Sequence, residues 1–385
     1  MSDRIEIFIF IDALGWELVQ RENFAADILT YRRPVQMQFG YSCTAMPTIL
    51  SGKRPDEHGH LSFFSFAPER SPFRCLSKFS WLFHPDSFWN RGRVRAWLSK
   101  FIKRIYGFTG YFQLYRMPIK KLGMMDYCEQ RDIFASGGLA PCRNLRDEMD
   151  ASKVPCHMSD WRAGDKANFT AAEAAVRSGC RFLFVYMCEL DAVLHDHVKE
   201  LGCAAVRGKL AWYRERIGAL LESARATGRE VRLTMFSDHG MTPLSGTCDI
   251  MSAVRATGLR FGVDYGACYD STMARFTYLN DAARHLIPAA LDGFSCDGHW
   301  LTEDEMRRYG IWRADRLFGD AVFLMNAGLQ IVPSDMGEKP LNGMHGFAPE
   351  DRDSYAAVLS TDPLPDDVRS VSDYFGLMTA RLAEL

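Results

Sequence analysis

Three near-continuous apolar runs set the frame of this chain. Ile5-Glu-Ile-Phe-Ile-Phe-Ile11, Arg181-Phe-Leu-Phe-Val-Tyr-Met187 and Glu230-Val-Arg-Leu-Thr-Met-Phe236 are short, rich in β-branched and aromatic residues, and lack strict polar alternation. Such runs suit strands buried on both faces of a parallel sheet. Between and after them the period changes to that of helices, at Asn144–Met149, Thr170–Ser178 and Ala204–Ala226, the last closed by Gly228. Ser271–Leu279 and Ala321–Met325 read as further strands, with helices at Asp281–Leu291 and Glu303–Tyr309. The alternation predicts an α/β fold built on a doubly wound, mostly parallel sheet flanked by helices.

Two stretches break the rhythm. Phe39-Gly-Tyr-Ser-Cys-Thr-Ala-Met-Pro-Thr-Ile-Leu-Ser-Gly52 reads as a strand end, a sharp turn at Gly40 and a short helix over Thr44–Leu50. Pro47 suits only the first helical turn, and Gly52 suits the stop. A hydroxyl at that turn, Ser42, would face a helix N-terminus, where free N–H groups favour an anion. From Arg54 to about Leu139 strand alternation is lost and Pro, Phe and Trp become frequent. Residues 61–139 are therefore read as an inserted cap, with 1–60 and 140–385 forming the core. Between Asp86 and Asp126 there are nine Lys/Arg and no acidic residue. Arg93–Tyr106 within it has helical apolar spacing. This basic, aromatic helix fits a solvated face, a lid that draws in an anionic substrate, or a membrane-surface contact.

Composition narrows the class. With 47% apolar residues over 385, the chain is globular and long enough for a large core. A net charge of −2 gives no general attraction to nucleic acid, so no nucleic-acid polymer is expected as a partner. Eleven scattered cysteines without CxxC spacing suit free thiols in a reducing compartment, which together with the short, Glu6-interrupted N-terminal run predicts a cytoplasmic protein.

The chemistry rests on ligand-type residues at strand ends and Gly-rich loops. Asp12 follows the first strand, where open α/β sheets place ligands. Asp191 and His195 are four apart and share a helix face. Asp238 and His239 follow the third strand and precede Gly240, and His345 lies in Asn342-Gly-Met-His-Gly346. Asp12, Asp238 and His239 supply one mixed oxygen–nitrogen site; Asp191, His195 and His345 supply another. Three carboxylates and three imidazoles suit two zinc ions better than magnesium, with manganese as an alternative. Two ions about 4 Å apart can clamp the attacking and leaving oxygens of an in-line displacement, and Ser42 needs such activation to act as a nucleophile. His58, His60, His84, His157, Asp196 and His197 are read as lying outside this set.

In order, Asp12, Ser42 in its Gly-Tyr-Ser turn, Pro-Asp-Glu-His-Gly59, Asp-x-x-x-His195, Ser-Asp-His-Gly240 and Gly-Met-His-Gly346 resemble the alkaline phosphatase superfamily, closest to type I phosphodiesterases and nucleotide pyrophosphatases. The resemblance implies an alkaline-phosphatase-like core. It places the nucleophile ten residues before Gly52, at Ser42, with Thr44 as the nearest rival. It implies that Asp191, His195 and His345 hold a first metal, that Asp12, Asp238, His239 and Ser42 hold a second, and that the Cys43 N–H binds a phosphoryl oxygen. Five residues after His58, where that branch carries Asn, stands Phe63, followed by Phe64. These rings can stack on a base or an apolar leaving group, and the missing polar contact falls to Ser62 or a cap arginine. The expected activity is hydrolysis of an anionic phosphate ester through a covalent phosphoserine, most simply as a phosphodiesterase or nucleotide pyrophosphatase. A phosphomonoesterase, a phospho-group transferase, and a non-enzymatic membrane-surface adaptor working through the basic cap are the alternatives. Weak contact with a membrane surface or a lipid-linked substrate is a further expectation for that cap.

Overall fold

The computed structural model describes residues 4–78, 81 and 86–385; His84 lies outside them. Its main sheet runs in the order Tyr31–Val35, Ala356–Ser360, Glu230–Phe236, Arg4–Ile11, Phe182–Met187, Cys156–Met158. The last four are parallel, whereas Ala356–Ser360 is antiparallel to both of its neighbours. The first strand shows why the runs looked continuous. Ile5, Ile7, Ile9 and Ile11 enter one core, and Phe8 and Phe10 enter the other, because successive side chains project to opposite faces.

Helices Asp165–Arg177, Glu189–His197 and Ala204–Arg225 contribute to the isoleucine-side core. Ser42–Ser51, Leu145–Ala151 and Asp373–Ala383 contribute to the phenylalanine-side core. The sheet is therefore doubly wound, as the pattern predicts.

Met273–Tyr278 and Ala321–Met325 are strands, but of a separate antiparallel sheet with Tyr265–Tyr269 and Gly298–Trp300. The short connection between Tyr269 and Met273 permits only a hairpin, since a parallel crossover needs about a dozen residues.

The stretch read as strand-free contains an antiparallel pair, Phe64–Phe66 with Met125–Tyr127. Three-residue strands are too short for alternation to register in a sequence. Around this pair Phe73, Leu98, Ile102, Phe108, Phe112 and Met117 form a cluster that also takes in Cys268 of the second sheet. The two parts approach closely at Gly266, where a Cβ would overlap the Phe66 ring.

A buried ion pair lies at the same junction. The Arg275 Nε donates to Asp270 Oδ2 at 2.9 Å, and Ser62 Oγ donates to Asp270 Oδ1 at 2.6 Å. Both charged side chains are almost fully enclosed. Asp270→Ala strands the guanidinium without its counter-charge. It is expected to lower the unfolding free energy by about 3–5 kcal/mol, read from a urea-denaturation midpoint.

Candidate active site

The site gathers at the C-terminal ends of the parallel strands. Gly40, at φ 122°, makes the turn into the helix that carries Ser42, and a Cβ there would overlap the Thr44 hydroxyl. The helix begins at Ser42, two residues earlier than predicted, so Pro47 sits in its second turn rather than its first. The backbone of Tyr41 caps it: its N–H donates to Thr44 Oγ1 at 3.2 Å, and its carbonyl accepts from Thr44 and Ala45. The Thr44 hydroxyl also bonds the Leu61 carbonyl and is fully buried. Thr44 is therefore occupied in holding the turn. Ser42 and Cys43 remain in the first helical turn, where backbone N–H groups lack intrahelical acceptors.

Ser42 Oγ lies 3.1 Å from His239 Nε2. The same nitrogen is 3.2 Å from Asp238 Oδ2 and 3.5 Å from Asp12 Oδ1. His239 Nδ1 is 2.8 Å from the Gly240 carbonyl, which assigns the proton to Nδ1 and leaves the Nε2 lone pair facing two carboxylates and the serine. His195 repeats the device. Its Nδ1 lies 2.8 Å from the Gly343 carbonyl, and its Nε2 lies 3.3 Å from Asp191 Oδ2. His345 Nε2 is 3.6 Å from Asp191 Oδ1, and its ring stacks on His239 with centroids 3.7 Å apart.

Ligand-type atoms of Asp191, His195 and His345 lie within 4.8 Å of one another, as do those of Asp12, Asp191 and His239. Asp191 thus stands between the two groups, whereas its sequence spacing places it in one. All six ligand residues predicted from sequence, together with Ser42, converge here, although they come from five separate segments.

Electrostatics show what the cluster is suited to hold. Asp12 Oδ1, Asp191 Oδ1 and Asp238 Oδ2 are buried with no hydrogen-bond partner. Burial, then the charges of Asp238 and Asp191, pushes the Asp12 carboxyl well above its usual range, and burial likewise raises Asp238. Burial also acts on Asp191, but His195, His345 and His239 outweigh it and hold its carboxyl low. His345 is pushed well below its ordinary value by burial and by His239. Unpartnered carboxylate oxygens facing imidazole lone pairs fit cations that ligate both.

The support is also buried. Asp165 Oδ1 accepts from the Cys188 N–H at 2.9 Å and fixes the start of the helix that carries Asp191 and His195. His58, bonded to Thr48 at 3.0 Å, braces the Ser42–Ser51 helix instead of joining the cluster.

A cavity of about 420 Å³ opens on Ser42. Cys43 and Phe63 line it, as do Tyr111, Tyr115, Glu129 and Trp161. Phe63 stacks on Tyr115 at 5.4 Å and on Tyr127 at 5.8 Å. Phe64 does not line the cavity; it is buried edge-on against Tyr127. Ser62 reaches the lining, but its proton is committed to Asp270, and no arginine lines the cavity among the described residues. Neither polar substitute expected for the missing Asn is therefore in place. Sequence reading missed Tyr111, Tyr115, Glu129 and Trp161. The four-residue spacing of Tyr111 and Tyr115 was the one available signal.

The family description "Type I phosphodiesterase / nucleotide pyrophosphatase" matches residues 7–348. The chain belongs to that family. Its members are metal-dependent phosphoric ester hydrolases, and the chain is a phosphodiesterase of this class. A search of curated protein sequences gives no match. Among solved structures, an inactive form of murine ectonucleotide pyrophosphatase/phosphodiesterase 5 in complex with AMP is similar, with a TM-score of 0.67 at 14% identity, covering 99% of this chain and 95% of that one. The human counterpart gives 0.66 at 12%, covering 98% and 95%. At these identities the likeness concerns the fold, which is that of the alkaline phosphatase superfamily.

Two expectations follow from the charges. Zinc titrated into metal-stripped protein should displace protons from Asp12 and Asp238, whose carboxyls are held high, so apparent affinity should fall as pH falls. Calorimetry in two buffers of different ionisation heat reads that release; no net proton release would contradict it. Burial also pushes the cavity carboxyl of Glu129 up to about 8. It is neutral below that pH and charged above it. The KM for an anionic substrate should therefore rise above pH of about 8, and Glu129→Gln should flatten the rise.

Proposed function

We propose that the chain is a two-zinc phosphodiesterase with Ser42 as its nucleophile and nucleotide-type diesters as its substrates. One observation carries the reading. Ser42 Oγ, in the first turn of a helix and at the wall of the cavity, shares the His239 Nε2 position with Asp12 and Asp238. Asp191, His195 and His345 would hold one ion. Asp12, Asp238, His239 and Ser42 would hold the other. When bound, such ions supply charge stabilisation and lower the pKa of oxygen nucleophiles.

The chain's own groups do the rest. Ser42 Oγ attacks phosphorus in line, a P–O ester bond breaks, and the leaving alcohol takes up the proton. Water then cleaves the Ser42–phosphoryl ester, giving a monoester and regenerating the hydroxyl. The Cys43 N–H, at the positive end of its helix, donates to a non-bridging oxygen. Phe63, Tyr111 and Tyr115 line the cavity and offer aromatic surface to a flat group. AMP bound by the murine relative supports a nucleotide there.

The lining favours a diester over a monoester. A dianionic monoester needs more donors than aromatic walls supply, and the lining lysine, Lys339, is exposed to water. The eleven free thiols support a reducing, cytoplasmic setting.

The test pairs bis-p-nitrophenyl phosphate with p-nitrophenyl phosphate on zinc-loaded protein. Diester turnover should dominate, and Ser42→Ala should cut it by at least about a thousandfold with zinc content and fold retained. A monoester preference would overturn the substrate class. Full activity in Ser42→Ala would overturn the nucleophile. A phosphoryl group passed to added alcohol in preference to water would mark a transferase.

A further inference from the structure

The helix Gly92–Ile105 has three long sectors. One is buried and holds Leu98, Ser99, Ile102 and Arg95. The Arg95 guanidinium is spent on the carbonyls of Leu114, Tyr115 and Met117. Lys103 Nζ bonds the Gly110 carbonyl and lies 5.5 Å from the Trp161 ring centroid. These two cations therefore serve the interior rather than the outer face.

A second sector is apolar and exposed. Trp97, Phe101 and Ile105 recur every four residues and are 59%, 46% and 61% exposed. The Trp97 and Phe101 rings stack with centroids 5.1 Å apart. The third sector, Arg93, Lys100 and Arg104, is exposed and spans about 40° of helix turn beside the Trp97 row.

This face is unusual within the molecule. Of ten large hydrophobics exposed among the described residues, five lie between positions 81 and 105. A contiguous apolar surface of this kind marks an interaction site. Its charge decides the partner. Arg93, Lys100 and Arg104 lie beside it, and no acidic residue occurs in the sequence between Asp86 and Asp126. A second copy of the chain would bring the same positive charges against it. An anionic bilayer offers opposite charge to Arg93, Lys100 and Arg104 and an apolar boundary to the rings.

We propose that the Trp97–Phe101–Ile105 face docks this protein on the surface of an anionic lipid bilayer, with the rings in the headgroup boundary and the flanking cations on lipid phosphates. The docking does not depend on the catalytic reading. From its inner side the same helix braces the loop that walls the cavity: Ser99 Oγ accepts from the Leu114 N–H at 3.1 Å, between Tyr111 and Tyr115. Attachment and access to the cavity thus act on one element. The proposed contact is a peripheral one; among the described residues no helix is long and apolar enough to cross a membrane.

Vesicle co-sedimentation tests this, with vesicles of phosphatidylcholine alone and with about one-third phosphatidylglycerol. The full chain should sediment with the anionic vesicles, remain free of the neutral ones, and be released by salt. The triple variant Arg93→Glu/Lys100→Glu/Arg104→Glu, and separately Trp97→Ala/Phe101→Ala, should each weaken binding at least about tenfold. Both should keep the wild-type circular dichroism melt and turnover of a soluble diester, since none of these residues lines the cavity. Brominated lipid should quench wild-type fluorescence more than that of Trp97→Phe. Absence of binding, or binding unchanged in the triple variant, overturns the proposal. So does self-association abolished by Trp97→Ala/Phe101→Ala without vesicle binding, which would assign the face to a second copy.

Discussion

Like-charge burial is the constraint around which this molecule is built. Asp12, Asp191 and Asp238 each turn a carboxylate oxygen without a hydrogen-bond partner into one enclosed space. The interior of a fold does not hold such groups without compensation. Here two of the facing imidazoles are locked by backbone carbonyls, at Gly240 and Gly343, so their lone pairs point the same way as the carboxylates. Protons can settle part of this imbalance, as the raised Asp12 carboxyl shows. Cations that accept both oxygen and nitrogen donors settle all of it, in keeping with the metal-dependent family to which the chain belongs.

The sheet makes the convergence possible. Arg4–Ile11 lies between Glu230–Phe236 and Phe182–Met187 in a parallel register, so the three strands end side by side. Asp12, the Asp238–His239 pair and the helix carrying Asp191 and His195 follow from those ends. His345 arrives from a distant loop and is fixed by ring stacking on His239. The Ser42–Ser51 helix packs on the opposite core from the Asp191 helix, so Ser42 reaches the cluster from the other face of the sheet.

Among the described residues, the segment from Phe63 to Tyr127 contributes walls, not candidate ligands. Its aromatic cluster is anchored on the second sheet through Cys268 and the close approach at Gly266. It presents Phe63, Tyr111 and Tyr115 to the cavity on its inner side and the Trp97 face to solvent on its outer side. The carboxylate cluster and these aromatic walls are thus carried by different parts of the chain.

The sequence by itself determined the local and the periodic. The runs Ile5–Ile11 and Glu230–Phe236 are strands almost to the residue, because burial on both faces selects mostly apolar side chains, with Glu6 the buried exception and Glu230 at the exposed end. The six candidate ligand residues were legible because they sit at a strand end, on one helix face or in a Gly-flanked loop. Tertiary structure decided what depends on distant neighbours. Met273–Tyr278 entered a separate sheet, the Phe64–Phe66 pair formed with a partner some sixty residues away, and Asp191 came to stand between both ligand groups. It turned Phe64 inward and Phe63 into the cavity, and it spent Arg95 on three backbone carbonyls. A side chain's type is written in the sequence. Which groups surround it is set by packing between segments far apart in the chain, and burial and charge at a site follow from those surroundings.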